Sequence, residues 1–253
     1  MNMNLKCIRL VTFDATNTLL KFRLPPWQYY AIVAREHGFQ GSENDIKKGL
    51  LDGYKVMLEK YPNFGKNRIT WEEWWTQIVK MTFNGHLPVT VNINSIADRL
   101  IDEFRTTKCW SVMDGTEKLL KLLQSSRMCL GVISNFDPRL HEILHNVSLD
   151  KEFKFIITSY ESGVTKPSKE IFDYAIERSG KSLKPSECLH IGDDIEKDYD
   201  GARNAGWHAV STACAYTPAP HPISDFCAIT VKVLSRELYH HHKVHSFHAW
   251  TIL

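Results

Sequence analysis

The sequence has little of several features that would point to particular classes of protein. Its six cysteines form no CxxC pair, and no apolar run approaches the ~20 residues that a membrane-spanning helix needs. The formal net charge is only +2, so there is no strong field to attract nucleic acid or an anionic membrane surface. No internal repeat and no GxGxxG nucleotide-binding signature are present. We therefore expect neither a nucleic-acid partner nor a membrane partner.

The isolated cysteines and an early first strand indicate the environment of the protein. Cys7, Cys129, Cys188 and Cys214 lie in or beside apolar runs, which is typical of buried free thiols in a reducing compartment. The first predicted strand begins near Ile8, which leaves no room for a cleaved presequence. We expect an intracellular, cytoplasmic protein, with the nucleus and the mitochondrion left open as alternatives.

Short β-branched runs that alternate with helical patterns predict the fold class. The predicted strands are Ile8–Phe13, Cys129–Ile133, Phe155–Thr158, Cys188–Ile191 and Ala209–Cys214. The predicted helices between the later strands are Asp137–Asn146, Ser168–Ser179 and Ile195–Ala205. Strands that are apolar at nearly every position and alternate with helices predict a Rossmann-like α/β core, with a parallel sheet covered on both faces. In such sheets ligands bind at the carboxyl ends of the strands, so Asp14, Ser134 and Asp193 are candidate site residues.

A long insert after Pro25-Pro26 separates the first two predicted strands. The apolar residues of "WEEWWTQIV" follow helical spacing, and a second stripe runs from Ile96 to Phe104, with Ser95 as the expected N-cap. Two further helices are expected near 27–38 and 44–60. We predict a small helical bundle whose tryptophans form its core, and which moves as a lid about hinges near Leu24–Pro26 and Lys108–Val112.

The predicted domain organisation follows from this insert. Residues 1–22 and 110–235 would form the α/β core, 23–109 a helical cap, and 236–253 a histidine-rich tail. The tail histidines offer a conceivable metal site, but a solvated tail is the simpler interpretation. The sequence is silent on the oligomeric state.

Four segments that follow predicted strands carry a combination of polar residues. They are Asp14 in "FDATNT", Ser134 in "VISNFD", Lys166 in "VTKPSKEIF", and Asp193 with Asp198 in "HIGDDIEKDYDGARNAG". Each alone could be a turn cap or a solvated charge. In this order on a parallel-sheet pattern, they resemble the haloacid dehalogenase (HAD) superfamily over about residues 7 to 232. The insert resembles that family's helical cap of the first type, and "YPNFG", "ITWEEWW" and "VISNFDPRL" resemble one branch of it.

The resemblance implies a phosphatase chemistry that the residue types can support. Asp14 would attack phosphorus and form an aspartyl-phosphate. Magnesium prefers oxygen ligands, and in this family Asp14, Asp193 and the backbone carbonyl of Thr16 would hold it. Lys166 would compensate the negative charge of Asp14 and of the phosphoryl group. The small phosphorylated substrate would be selected by the cap.

The remaining site residues have supporting roles in this resemblance. Ser134 and the Asn135 backbone would donate hydrogen bonds to the phosphate. Asp198 would orient Lys166 or a metal-bound water, whereas Asp194 is expected in a solvated turn.

Position 16 departs from the family pattern. Phosphatases of the family usually carry Asp-x-Asp-Gly-Thr, and the second Asp protonates the leaving oxygen, whereas this chain has Asp14-Ala15-Thr16-Asn17-Thr18. A threonine hydroxyl is too weak an acid for that role, and a positioned acid is worth ~10²–10⁴-fold in rate. Three hypotheses follow: a weak or specialised magnesium-dependent phosphatase, a catalytically inactive protein that binds a phosphorylated ligand or a protein partner, and a dehalogenase. The metal-type aspartate Asp193 argues against the third hypothesis.

Overall fold

A five-stranded parallel sheet forms the centre of the protein. The structure is a computed structural model and describes residues 7–212. The strands are β1 (Leu10–Phe13), β2 (Leu20–Phe22), β3 (Trp110–Val112), β4 (Cys129–Ser134), β5 (Phe155–Thr158), β6 (Cys188–Gly192) and β7 (His208–Ser211). The order in the sheet is β5-β4-β1-β6-β7, and every neighbouring pair is parallel. The predicted Rossmann-like α/β class is therefore confirmed.

Helices form a separate bundle between β2 and β3 and cover the sheet after β3. The helices are α1 (Pro26–Glu36), α2 (Glu43–Lys60), α3 (Trp71–Phe83), α4 (Ile93–Glu103), α5 (Thr116–Ser125), α6 (Arg139–Asn146), α7 (Ser159–Ser162), α8 (Lys169–Ser179) and α9 (Gly201–Asn204). A π-helical turn, Ile195–Asp200, runs directly into α9. Within the described range, no helix is both long and apolar enough to cross a membrane.

Both faces of the sheet are buried, and this explains why its strands read as continuous apolar runs. Successive side chains of a strand point to opposite faces. Val11 and Phe13 of β1 pack in one core with α5 and α6, whereas Leu10 packs in another core with Phe172 of α8 and Ala202 of α9. All four residues of β1 are buried, since this strand is the central one.

The helical insert has a hydrophobic core of its own. Trp74, Ile78 and Phe83 of α3 are fully buried and share a cluster with residues of α1, α2 and α4. The prediction of a tryptophan core is confirmed for Trp74. Trp71 and Trp75 are only half-buried; they pack at the edge of this cluster and also contact the α/β core.

A two-stranded antiparallel ribbon marks the place where the chain passes between the sheet and the insert. Strands β2 and β3 pair from Leu20↔Val112 to Phe22↔Trp110. The rings of Phe22 and Trp110 lie with their centroids 4.0 Å apart. The sequence did not predict this pairing, because the two three-residue strands are far apart in the chain. The ribbon overlaps one expected hinge, Lys108–Val112, and immediately precedes the other.

Several predicted boundaries are corrected by local hydrogen bonds. Helix α4 begins at Ile93, with Asn92 rather than Ser95 as its N-cap, because the Asn92 side chain accepts from the Asn94 N–H at 3.1 Å. Helix α6 begins at Arg139, two residues later than predicted.

The last described strand and the described cysteines also differ in detail from the predictions. Strand β7 ends at Ser211, while the predicted end at Cys214 and the histidine-rich tail lie outside the described residues. The described cysteines are free, as predicted, but Cys7 is exposed rather than buried.

Candidate active site

The polar residues singled out in the sequence converge at the carboxyl edge of the sheet. Strand β1 lies between β4 and β6, so the residues that follow these three strands are neighbours. One cavity of about 290 Å³ contains all seven predicted site residues in its lining, namely Asp14, Thr16, Ser134, Asn135, Lys166, Asp193 and Asp198. Polar residues that are far apart in the sequence thus lie together around a space that could hold a phosphoryl group.

Lys166 is the buried centre of this arrangement. Its side-chain nitrogen Nζ donates to Asp14 Oδ1 at 2.7 Å, to Asp198 Oδ1 at 2.5 Å and to the Ile133 carbonyl at 2.8 Å. Burial alone would lower the pKa of the ammonium group, but the two carboxylates raise it above its usual value. Lys166 is therefore positively charged and compensates the two acids beside it.

Asn135 fixes the backbone of Lys166 with both ends of its side-chain amide. The Asn135 Oδ1 atom accepts from the Lys166 N–H at 2.8 Å, and its Nδ2 atom donates to the Lys166 carbonyl at 2.9 Å. The amide of Asn135 is thus committed to positioning Lys166, which leaves its backbone as the group to consider for phosphate binding.

Asp198 is held by a buried chain of polar groups under the site. Besides Lys166, it accepts from the Asp194 N–H at 3.0 Å and lies 3.1 Å from His190 Nε2, while His190 Nδ1 lies 2.8 Å from the Thr12 hydroxyl. Burial would raise the pKa of Asp198, but Lys166 and His190 hold it below its usual value. Burial lowers the pKa of His190, so a neutral ring donates from Nε2 to Asp198 and accepts from Thr12.

His190 and Thr12 were not predicted as site residues, although both carry a visible signal in the sequence. Each is a polar residue in an otherwise apolar strand, and the two are partners in the β1–β6 register. Gly192 is also required beside them, because a Cβ atom there would lie 2.2 Å from Asp198 Oδ2.

Asp193 stands close to the other two acids and is oriented by Asn17. Asn17 Nδ2 donates to Asp193 Oδ2 at 3.1 Å, from a backbone with a φ of 56° that asparagine tolerates better than most residues. Burial, and then the negative charge of Asp14, raise the pKa of Asp193 to about 6. One carboxylate oxygen each of Asp14, Asp193 and Asp198 lie within 4.8 Å of one another.

The chemistry of this acid cluster fits a hard divalent cation. Asp198 already contacts Lys166, His190 and the Asp194 N–H, so it is the least available ligand of the three. In the described part of the chain, Asp14 Oδ2 has no hydrogen-bond donor, while Oδ1 accepts from Lys166. Asp14 and Asp193 are therefore the acids that could hold magnesium, with the Thr16 carbonyl beside them.

Asp194 has a structural role rather than simply facing solvent in a turn. It is half-buried, and its Oδ1 atom accepts from the Lys197 N–H at 2.9 Å and so caps the π-helical turn. It also forms an ion pair with the Lys197 side chain. This cap begins the turn that carries Asp198 into the site.

Several contacts between the insert and the core were not predicted, among them one at Asp137 and one at Ser159. Trp75 Nε1 of α3 donates to Asp137 Oδ2 at 2.8 Å, and Asp137 forms a buried ion pair with Arg139, with 2.7 Å between Arg139 Nη2 and Asp137 Oδ2. Asn63 Nδ2 donates to the Ser159 carbonyl at 2.8 Å. The available signals were the polar turns "NFDPR" and "YPNFG", whose partners lie too far along the chain for local spacing to reveal.

Two known proteins are similar to this chain over most of its length. The Rhythmically expressed gene 2 protein of Drosophila melanogaster is 39% identical over 216 residues, which are 81% of this chain and 83% of that protein. The Haloacid dehalogenase-like hydrolase domain-containing protein 3 of Homo sapiens is 34% identical over 206 residues, which are 80% of each. These proteins represent the branch of the family that the sequence motifs resembled.

Solved structures share the fold at lower identity. The putative HAD-hydrolase YfnB from Bacillus subtilis, bound to magnesium, matches with a TM-score of 0.61 and 21% identity over 84% of this chain and 92% of that one. The 2-haloacid dehalogenase from Pseudomonas syringae pv. Tomato DC3000 matches with a TM-score of 0.62 and 21% identity over 90% and 99%. At this identity the two structures support the fold alone.

A protein-family model also matches most of the chain. The model described as haloacid dehalogenase-like hydrolase matches residues 8–206, which include every residue of the cavity described above. With the parallel sheet and the two relatives above 30% identity, this match shows that the chain belongs to the haloacid dehalogenase-like hydrolase family.

Proposed function

We propose that this hydrolase is a magnesium-dependent phosphatase that acts on phosphomonoesters through an aspartyl-phosphate on Asp14. The observation that carries the proposal is the contact of Lys166 Nζ with both Asp14 and Asp198 in a cavity that Ser134 and Asp193 also line. The buried ammonium group compensates the negative charge of the Asp14 carboxylate while an anionic substrate approaches. This is the arrangement that a nucleophilic attack on phosphate requires.

The chain's own residues account for the first half of the reaction. Lys166 engages Oδ1 of Asp14 and compensates the charge of the carboxylate. Asp14 would attack phosphorus with one carboxylate oxygen and hold magnesium with the other. The Ser134 hydroxyl and the Asn135 backbone N–H would donate to the phosphoryl oxygens. Magnesium, when bound by Asp14, Asp193 and the Thr16 carbonyl, supplies positive charge that reduces the repulsion between nucleophile and phosphate.

The helical insert would act as the cap that admits the substrate. The predicted boundaries between the insert and the core, 22/23 and 109/110, lie at the ends of β2 and β3, which pair with each other. Contacts such as Trp75 to Asp137 and Asn63 to Ser159 hold the insert over the cavity. We propose that these contacts break and reform as the cap opens and closes.

A second function is favoured by Thr16. This residue stands where the family's proton donor is found, and its hydroxyl is too weak an acid to replace that donor. The protein would then bind a phosphorylated ligand or a protein partner without turnover, and such a function would use the same cavity. A dehalogenase remains the weakest alternative, because Asp193 lies in the cavity, where it is suited to hold a cation. Burial and Asp14 raise the pKa of Asp193, and a bound cation would lower it again.

A phosphatase screen distinguishes these functions. The purified protein is assayed against a panel of phosphomonoesters and acetyl phosphate, with magnesium and with a chelator in excess. We expect phosphate release that requires magnesium and that is fastest for good leaving groups. Tight binding of phosphorylated ligands without release of phosphate would instead support the binding protein.

Replacement of Asp193 tests the metal site directly. Asp193→Asn removes one of the two anionic ligands, so the affinity for magnesium, measured by calorimetry, should fall at least ~10-fold. The control is Asp200→Asn, which makes the same change at an exposed position, at the end of the π-helical turn that follows Asp193. Equal affinities in the two variants would show that Asp193 is not a ligand.

A further inference from the structure

A second cavity lies beside the phosphate site, between the helical insert and the core. It has a volume of about 410 Å³, within the range of pockets that hold small organic molecules. Aromatic rings make up much of its wall, including Trp27, Tyr30, Trp75, Phe104, Trp110 and Phe136. We call this cavity the aromatic chamber.

The charged residues of the chamber are already paired with each other. Asp137 accepts from Arg139 at 2.9 and 2.7 Å and from Trp75 Nε1 at 2.8 Å. The Arg139 guanidinium lies 4.8 Å from the ring centroid of Trp75, over its face. A sugar or a nucleotide would need free polar partners for its hydroxyl groups, and this pair is satisfied without a ligand. The chamber therefore suits an apolar group.

The two cavities meet at a short shared wall. The residues that line both are Thr16, Tyr54, Phe64 and Asn135. An ester with its phosphate beside Asp14 and its organic group in the chamber would place its bridging oxygen at this wall. The organic group that occupies the chamber is therefore the leaving group of the reaction.

The residues of the shared wall offer that oxygen only weakly acidic hydroxyl groups. The wall contains the hydroxyls of Thr16 and Tyr54, and burial raises the pKa of Tyr54 above its usual value. The Asn135 amide is committed to the Lys166 backbone. An oxygen that leaves at this place must therefore be stable as an anion.

We propose that the substrates are aryl phosphomonoesters, whose aromatic group occupies the chamber; this inference rests on the proposed phosphatase function. The Asp14 carboxylate forms a bond to phosphorus while the bond from phosphorus to the aryl oxygen breaks. The electron pair leaves with the oxygen as a phenolate. Water then attacks phosphorus, frees Asp14 and releases phosphate, and the proton it loses passes to the solvent.

The test compares four compounds that separate leaving-group ability from size. Acetyl phosphate is small with a good leaving group, phenyl and 2-naphthyl phosphate have phenolic leaving groups of different size, and cyclohexylmethyl phosphate is apolar with a poor leaving group. We expect kcat/KM for 2-naphthyl phosphate to exceed that for phenyl phosphate at least ~10-fold, since about 60 Å² of extra buried apolar surface gives one tenfold step. Cyclohexylmethyl phosphate should bind as a competitive inhibitor with little turnover.

A variant at the chamber wall provides the structural control. Leu51, on the chamber side of α2, is 53% exposed, and Val56 on the same helix is 47% exposed and is not among the chamber-lining residues. Leu51→Gln should lower the ratio of 2-naphthyl to phenyl turnover about threefold, because it replaces apolar wall with a polar group. Val56→Gln should leave this ratio unchanged.

The outcomes separate this inference from the proposed function. Hydrolysis of acetyl phosphate with equal kcat/KM for the phenyl and 2-naphthyl esters would overturn the aryl specificity and leave the phosphatase intact. Hydrolysis of cyclohexylmethyl phosphate as fast as the aryl esters would also overturn it. Failure to hydrolyse any of the four compounds in magnesium would contradict the phosphatase itself, and the aryl substrate class with it.

Discussion

Asp14→Asn is expected to lower phosphatase turnover at least ~10³-fold while the protein stays folded. Asparagine cannot attack phosphorus as a carboxylate does, and removal of an enzyme's nucleophile commonly costs this much or more. The fold should tolerate the change, because Lys166 retains Asp198 and the Ile133 carbonyl as partners. The loss of the negative charge of Asp14 also removes one of the causes that raise the pKa of Asp193, whose burial stays the same.

Two measurements distinguish the loss of the nucleophile from a loss of folding. Thermal unfolding followed by circular dichroism establishes that the variant is folded, and trapping with labelled substrate detects the aspartyl-phosphate in the wild type alone. The matched control is Asp173→Asn on α8, whose carboxylate is exposed and pairs with Lys169. Turnover in Asp14→Asn above a tenth of the wild-type value would remove Asp14 from the role of nucleophile.

Thr16→Asp is expected to raise kcat/KM for an alkyl phosphate by ~10²-fold, the lower end of what a positioned acid contributes. The new carboxyl group would protonate the leaving oxygen at the shared wall of the two cavities. With p-nitrophenyl phosphate the gain should stay below ~3-fold, because that leaving group departs without a proton. The contrast between the two substrates is the result to measure, since kcat/KM reports the steps up to phosphoryl transfer.

Asn17 is the reason to make a second variant. Its side chain donates to Asp193 Oδ2 at 3.1 Å and its backbone has a φ of 56°, a conformation that glycine adopts freely. Thr16→Asp with Asn17→Gly restores the residue types usual in the family and gives the new carboxylate room. If this double variant folds, binds magnesium and hydrolyses neither ester, the site lacks more than the acid, and the binding function becomes the better one.

The sequence by itself determined the fold class and the identity of the polar residues at the strand ends. Apolar runs such as those of β1 and β4, which alternate with helical patterns, are typical of strands buried on both faces, and the parallel arrangement then brings the ends of neighbouring strands to one edge. Asp14, Ser134 and Asp193 could be selected on that basis, whereas Lys166 was selected from the order of the motifs and their resemblance to the family. These properties depend on local periodicity and on short motifs, both of which are visible in a single sequence.

Only the tertiary structure decided how these residues are connected. Lys166 meets Asp14 across 152 positions of the chain, and Thr12 meets His190 across 178, so neither contact follows from local spacing. The β2–β3 ribbon and the Trp75–Asp137 contact have the same origin, since each depends on where the helical insert rests on the core. The aromatic chamber exists for that reason too: its walls come from both parts of the chain, and periodicity within either part says nothing of the space enclosed between them.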